Sequence, residues 1–173
     1  MPSVFGFCLL LVGALYDFVC SLLSFILPRK LKPIRSFSDD IVLVTGAAHG
    51  LGRCLSIDFA RHGGTLVLWD INESGLESVR REIERDFPNV EVFTYVCNVA
   101  LKGEVYSTAE KVKQEVGNVS VLVNNAGIVS GKSLLDERDE ELERSTAVNY
   151  MAHTWVRVGW VCGSVCIVND LLE

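Results

Sequence analysis

Positive charge is the scarcer sign in this chain: 16 Lys and Arg against 22 Asp and Glu leave a formal net charge of −6. That balance argues against the basic surface a nucleic-acid binder needs. Histidine is scarce too, and His49, His62 and His153 are too scattered to suggest a metal site. The six cysteines, Cys8, Cys20, Cys54, Cys97, Cys162 and Cys166, show neither zinc-pair spacing nor a disulfide framework. Cys54 and Cys97 fall in helix- and strand-like patterns and read as buried, reduced thiols. No internal repeat is present. What remains is a chain of 173 residues, 49% hydrophobic, the size of one domain plus an appendage.

Charge is also missing from Ser3 to Leu27, where Asp17 is the exception. This run of about 25 residues would make a helix of roughly 37 Å, enough to cross a ~30 Å hydrocarbon core. The basic stretch after it, with Arg29, Lys30, Lys32 and Arg35, places the rest of the chain on the cytosolic side by the positive-inside rule. A cleaved signal peptide is the rival reading, but a basic n-region and a small-residue cleavage site are both poor here. Asp17 leaves a hairpin or monotopic anchor open beside a spanning one, because an acid near mid-bilayer is costly. The expectation is a retained membrane anchor over 1–27, a basic linker over 28–38 and a membrane lipid as partner. Pro28 and Pro33 break any continuing helix in that linker.

The soluble part is organised around Ile41–Gly52, IVLVTGAAHGLG. Four apolar, mostly β-branched residues predict a strand buried on both faces. Thr45 and Gly46 end it, Gly50 and Gly52 follow, and an amphipathic helix begins near Leu51. Glycines allow a tight turn and close approach of phosphates to the backbone. The positive end of the helix then faces that anion. Further strands are predicted at Thr65–Asp70, about Glu91–Val96 and Val119–Val123. Helices are predicted at about Leu51–His62, Glu73–Asp86, Leu101–Val116 and Glu140–Val158. Leu51, Leu55, Ile57, Phe59 and Ala60 form the apolar side of the first. The alternation predicts an α/β fold, a Rossmann-like doubly wound parallel sheet over 39–155, incomplete at the C-terminus. Asp70 ends the second strand about 20 residues after the glycines, where a carboxylate accepts bonds from the adenosine ribose and repels a 2′-phosphate. This favours NAD over NADP, with Arg53 placed to soften the preference. The bland alternative for Asp70 is a solvated acid opening the next helix.

These residues resemble the short-chain dehydrogenase/reductase family. TGAAHGLG at Thr45–Gly52 fits its glycine motif, and NNAG at Asn124–Gly127 matches its second motif, directly after the fourth strand. The N-terminal anchor, LVLWDIN at Leu66–Asn72 and VNY…HTW at Val148–Trp155 resemble the membrane-bound branch with epidermal retinol dehydrogenases and related 17-beta-hydroxysteroid dehydrogenases. The resemblance implies NAD as cofactor, with Thr45 and the turn residues Gly46, His49, Gly50, Leu51 and Gly52 around its diphosphate and adenosine. Asn98 stands where the family usually has an Asp on the adenine amine; its amide oxygen can accept that bond, more weakly. Asn124 is implied to tie the sheet together. Asn125, Ala126 and Gly127 are implied to lie against the nicotinamide-side ribose, and Val148 to touch the cofactor. Asn149 matches the helix asparagine of the family's proton relay, with a bond inside its own helix as the alternative. The implied chemistry interconverts lipophilic alcohols and carbonyls, retinoid- or steroid-like, at the endoplasmic reticulum or lipid droplet. A homodimer is allowed.

The family's Tyr-x-x-x-Lys pair does not occur in these residues. Four positions after Tyr16, Tyr95, Tyr106 and Tyr150 stand Cys20, Val99, Glu110 and Thr154. No serine matches the family's catalytic one. Beyond Trp155 the sequence stops resembling the family, and 156–173 reads as a divergent tail. Val165–Val168 could add a fifth strand, or Val156, Val158, Trp160 and Val161 could be exposed and sticky. A truncated or alternatively spliced product, or an incomplete gene model, is the expectation. A non-catalytic membrane protein keeping part of a nucleotide site, or a fragment with an unpaired sheet edge, are the other readings.

Overall fold

The computed structural model describes residues 36–131, 136–160 and 166–167. The predicted anchor and most of the basic linker lie outside these residues. Among the described residues no helix is long and apolar enough to cross a membrane.

The strands are β1 (Ile41–Thr45), β2 (Thr65–Asp70), β3 (Val92–Val96), β4 (Val121–Val123) and β5 (Cys166–Ile167). The helices between them are α1 (Gly50–Arg61), α2 (Glu73–Asp86), α3 (Lys102–Glu115), α4 (Asp139–Thr146) and α5 (Ala152–Gly159). A π-helical turn, Ala147–Met151, joins the last two. All strand pairs are parallel and the order is β3-β2-β1-β4-β5. The order reverses between β1 and β4, and such a switch point opens a crevice at the carboxyl ends of the strands.

Side-chain alternation explains why both faces are covered. Val42 and Val44 of β1 and Leu66 and Leu68 of β2 point to one side, against Phe59 and Ala60 of α1 and Leu76, Val79 and Ile83 of α2. Leu43, Val67 and Trp69 point to the other, against Val105, Ala109 and Val112 of α3 and Ala152 and Val156 of α5. Val42, Leu43 and Val44 have no exposed surface, as their unbroken apolar run requires.

Several local expectations need correcting. The apolar side of α1 does not include Leu51, which is 52% exposed, and Cys54 is exposed although Cys97 is buried. The long helix expected over Glu140–Val158 forms as one helical run from Asp139 to Gly159; what the sequence does not show is the π turn inside it, whose i→i+5 bonds leave no mark on apolar spacing. β4 begins at Val121 rather than Val119. A fifth strand does form on β4, and its described part is Cys166–Ile167. Val156 and Trp160 are not sticky surface: they are 1% and 3% exposed. Trp160 lies 6.5 Å from Trp69, ring centroid to centroid, and Lys113 Nζ sits 5.6 Å from its ring. Val158 is exposed as the tail reading expected.

Candidate functional site

The glycine turn is built by close backbone packing. Gly46 has φ +67°, and a Cβ there would lie 2.9 Å from Ala126 Cα. At Gly52 a Cβ would fall 2.1 Å from the Gly46 carbonyl oxygen, so α1 can start this close to β1 only without a side chain. Gly50, at φ +57°, differs: a side chain there would meet nothing within 4 Å. Its left-handed backbone bends the chain beside open space. The start of α1 is left undressed. His49 precedes it with no side-chain cap, and its first turn carries no acid. Uncapped N–H groups at a positive helix end fit an anion such as a diphosphate.

Thr45 joins the two motif segments. Its hydroxyl donates to the Val123 carbonyl at 3.3 Å and accepts from the N–H groups of Asn125 and Ala126 at 3.0 and 3.1 Å. The Asn125 amide donates back to the carbonyls of Thr45 and Gly46 at 2.9 and 3.2 Å. The cross-strand tie expected of Asn124 therefore belongs to Asn125. Its bonds lock the end of β4 onto the end of β1.

Asp70 is 6% exposed at the end of β2. One carboxylate oxygen accepts from Ala48 N–H at 3.0 Å, and the other from Asn72 N–H at 3.0 Å. Two backbone donors thus hold the carboxylate in place, and a carboxylate keeps lone pairs for further donors. The cap of α2 is made by Asn72, whose amide oxygen accepts from Gly75 N–H at 3.0 Å. The helix-opening reading of Asp70 is therefore filled by another residue. His49 Nδ1 stands 3.8 Å from the Asp70 carboxylate. Arg53 is not free to soften the charge of Asp70: its guanidinium donates to Glu82 of α2 at 3.0 and 2.6 Å.

Asn98 is partly committed. Its side-chain oxygen accepts from Ala100 N–H at 3.1 Å, and its own N–H donates to Glu104 at 2.8 Å. The amide oxygen retains one lone pair for an external donor. Asn149 sits in the π turn. Its side chain accepts from Ile128 N–H at 2.9 Å and donates to the Ile128 carbonyl at 2.8 Å. Neither bond is inside its own helix. The side chain fixes the loop after NNAG, so Asn149 is placed to position that loop.

These pieces meet in one cleft of about 340 Å³ at the carboxyl ends of the strands. Gly46, His49 and Asp70 line one part, Asn98 another, and Ala126, Gly127 and Val148 the remainder. Of the other residues predicted for the site, Gly50 and Leu51 follow His49 at the start of α1, while Thr45, Gly52 and Asn125 shape the turn from behind. Sequence reasoning missed Arg144 of α4, which also lines the cleft. Among the described residues no group of His, Cys, Asp or Glu is placed to hold a metal ion.

Comparison with known proteins identifies the family. A family model described as short chain dehydrogenase matches residues 40–159. Human epidermal retinol dehydrogenase 2 is 46% identical over 139 residues, covering 80% of this chain and 44% of its own. Human 17-beta-hydroxysteroid dehydrogenase 13 is 38% identical over 156 residues, covering 90% of this chain and 50% of its own. The chain thus spans about half the length of the curated relatives it matches. Among solved structures, the L-sorbose reductase of Gluconobacter frateurii, complexed with NADPH and L-sorbose, superposes with a TM-score of 0.68 at 26% identity. It covers 72% of this chain and 47% of its own. With the glycine turn, the NNAG segment and the crevice at the sheet's switch point in place, the chain belongs to the short-chain dehydrogenase family.

Proposed function

We propose that this chain is the cofactor-binding part of a membrane-anchored, NAD(H)-dependent oxidoreductase acting on lipophilic alcohols and carbonyls, retinoid- or steroid-like. The observation that carries the cofactor choice is Asp70. It is buried, held by two backbone N–H groups and lines the cleft. A fixed carboxylate there suits ribose hydroxyl donors and repels a phosphate. The cofactor, when bound, supplies or accepts the hydride. The chain's own residues orient it: Gly46, His49, Gly50, Leu51 and Gly52 at the diphosphate, Asp70 and Asn98 at the adenosine. Asn125, Ala126, Gly127 and Val148 lie toward the nicotinamide side. The named activities of the retinol and steroid dehydrogenase relatives support the substrate class. The run Ser3–Leu27 and its basic flank support an anchor with the domain facing the cytosol, at the endoplasmic reticulum or lipid droplet.

A second reading is favoured by one specific feature. None of the tyrosines in these 173 residues is followed four positions on by lysine. A polypeptide of these residues alone would then hold the dinucleotide without turning substrate over, and act, if at all, through the membrane, a partner or a second copy.

The test of cofactor choice is titration of the full detergent-solubilised chain with NAD and NADP. The unmutated protein is expected to bind NAD more tightly, and Asp70→Ala to narrow the gap. Equal affinity for both dinucleotides in the unmutated chain would refute the reading.

A further inference from the structure

Arginine side chains in this domain are nearly all spoken for. Arg53, Arg61, Arg80, Arg81, Arg85 and Arg138 each hold a carboxylate oxygen within 3.3 Å. Among the described residues Arg144 and Arg157 have no such partner, and for Arg144 this is so although Glu140 and Glu141 lie one turn before it on α4. Glu141 is taken by Arg138, through the guanidinium at 3.3 Å and the backbone N–H at 3.2 Å. Arg144 instead lines the cleft that Asp70, His49 and Asn98 also line. The cleft therefore carries one fixed negative group, Asp70, and one uncommitted guanidinium, Arg144. Arg53, which the sequence offered as the counterweight to Asp70, is held by Glu82.

We propose that Arg144 is a cofactor-contacting, specificity-determining residue: its guanidinium supplies the positive charge of the cleft and sets how far the site tolerates a 2′-phosphate against Asp70. The inference rests on the dinucleotide reading above. A guanidinium stays charged over the working pH range and recognises phosphate oxygens through paired donors. Left without an internal partner, it meets an incoming phosphate without first breaking an ion pair. Asp70 discriminates by repulsion, and Arg144 limits that discrimination by attraction.

The experiment is calorimetric titration of the full chain in detergent with NAD and NADP, at low and high salt. It compares the unmutated protein with Arg144→Ala, Arg144→Lys and Arg157→Ala, the last an exposed arginine outside the cleft. Arg144→Ala is expected to weaken NADP binding about fivefold, the upper end for an exposed charge pair. NAD binding should change by less than about twofold, since its diphosphate is held at the α1 end. Arg144→Lys, which keeps the charge without the paired donors, should restore only part of the loss, Arg157→Ala should leave both affinities unchanged, and the salt dependence of NADP binding should flatten in Arg144→Ala. Equal losses for both dinucleotides, or none, would overturn the inference while leaving the dinucleotide reading standing. Failure of the unmutated chain to bind either dinucleotide would overturn both.

Discussion

Replacing Thr45 by valine tests whether its hydroxyl joins the two motif segments. Valine keeps the shape of the side chain, so no cavity opens at this 2% exposed position. What disappears is one oxygen with three bonds. Asn125 and Ala126 lose the acceptor for their N–H groups, and the Val123 carbonyl loses a donor. A buried donor left without a partner costs about 1–3 kcal/mol. Asn125 and Ala126 are only partly buried, so water can reach them and the lower end applies. The sum is about 2–4 kcal/mol, which for a domain of this size lowers Tm by roughly 5–15 °C. Thr45→Ser keeps the hydroxyl and loses one methyl group, for about 1 kcal/mol. The assay is thermal unfolding followed by circular dichroism, with and without dinucleotide. The valine variant should melt well below the serine variant and should gain less from added dinucleotide, because the Asn125–Gly127 segment is no longer pinned. If the two variants melt together, the hydroxyl is not the joint.

Three further outcomes are expected. The 173-residue polypeptide with NAD or NADH and a panel of retinoids, steroids and long-chain alcohols should show no turnover above a Gly46→Trp control. General acid–base catalysis contributes about 10²–10⁴-fold, and no Tyr/Lys pair is present in it to supply that; measurable turnover would overturn the reading that these residues alone hold the dinucleotide without turning substrate over. The sequons at Asn72 and Asn118 should stay unmodified on expression in a eukaryotic cell, and an endoglycosidase-sensitive mass shift would reverse the cytosolic orientation. Burial pushes the Cys97 thiol up to about 11, with a nearby Glu104 carboxylate adding to the rise and a Thr108 bond opposing it. The neutral thiol is favoured in the fold. Its stabilising contribution is therefore full below the ordinary thiol value and is lost as pH rises toward 11. At pH 8, peptide mapping after brief alkylation should find Cys54 labelled and Cys97 protected; equal labelling of the two would contradict the packing.

The elements with local punctuation were the most legible in the sequence. β2 runs between Gly63-Gly64 and the turn at Ile71, and α2 between its Asn72 cap and Pro88, and both have the bounds their patterns predict. The two glycine-containing motifs located the cleft because each needs close backbone approach, which only small residues permit. What was illegible depends on partners distant in sequence. Whether Asn124 or Asn125 ties the strands is decided by which one faces β1 after the strand ends, where alternation no longer guides. Arg53 reads as free until Glu82, 29 residues on, closes on it. Trp160 reads as sticky until Trp69, far away in sequence on β2, comes to lie beside it. Arg144 escaped notice because an unpaired arginine on a helix has no sequence signature at all.

The pairing of Asn149 with Ile128 has a consequence for chemical ageing. The carboxamide there acts as a surrogate peptide group, offering one donor and one acceptor to a single residue's main chain. Deamidation to aspartate would exchange the donor for a second, negatively charged acceptor facing the Ile128 carbonyl. A glutamine would carry the same pair one methylene too far, and a leucine would match the size and offer neither. The spacing between the NNAG loop and the π turn thus depends on the survival of one amide nitrogen. Slow hydrolysis at that atom would loosen the loop while leaving the sheet beneath it untouched.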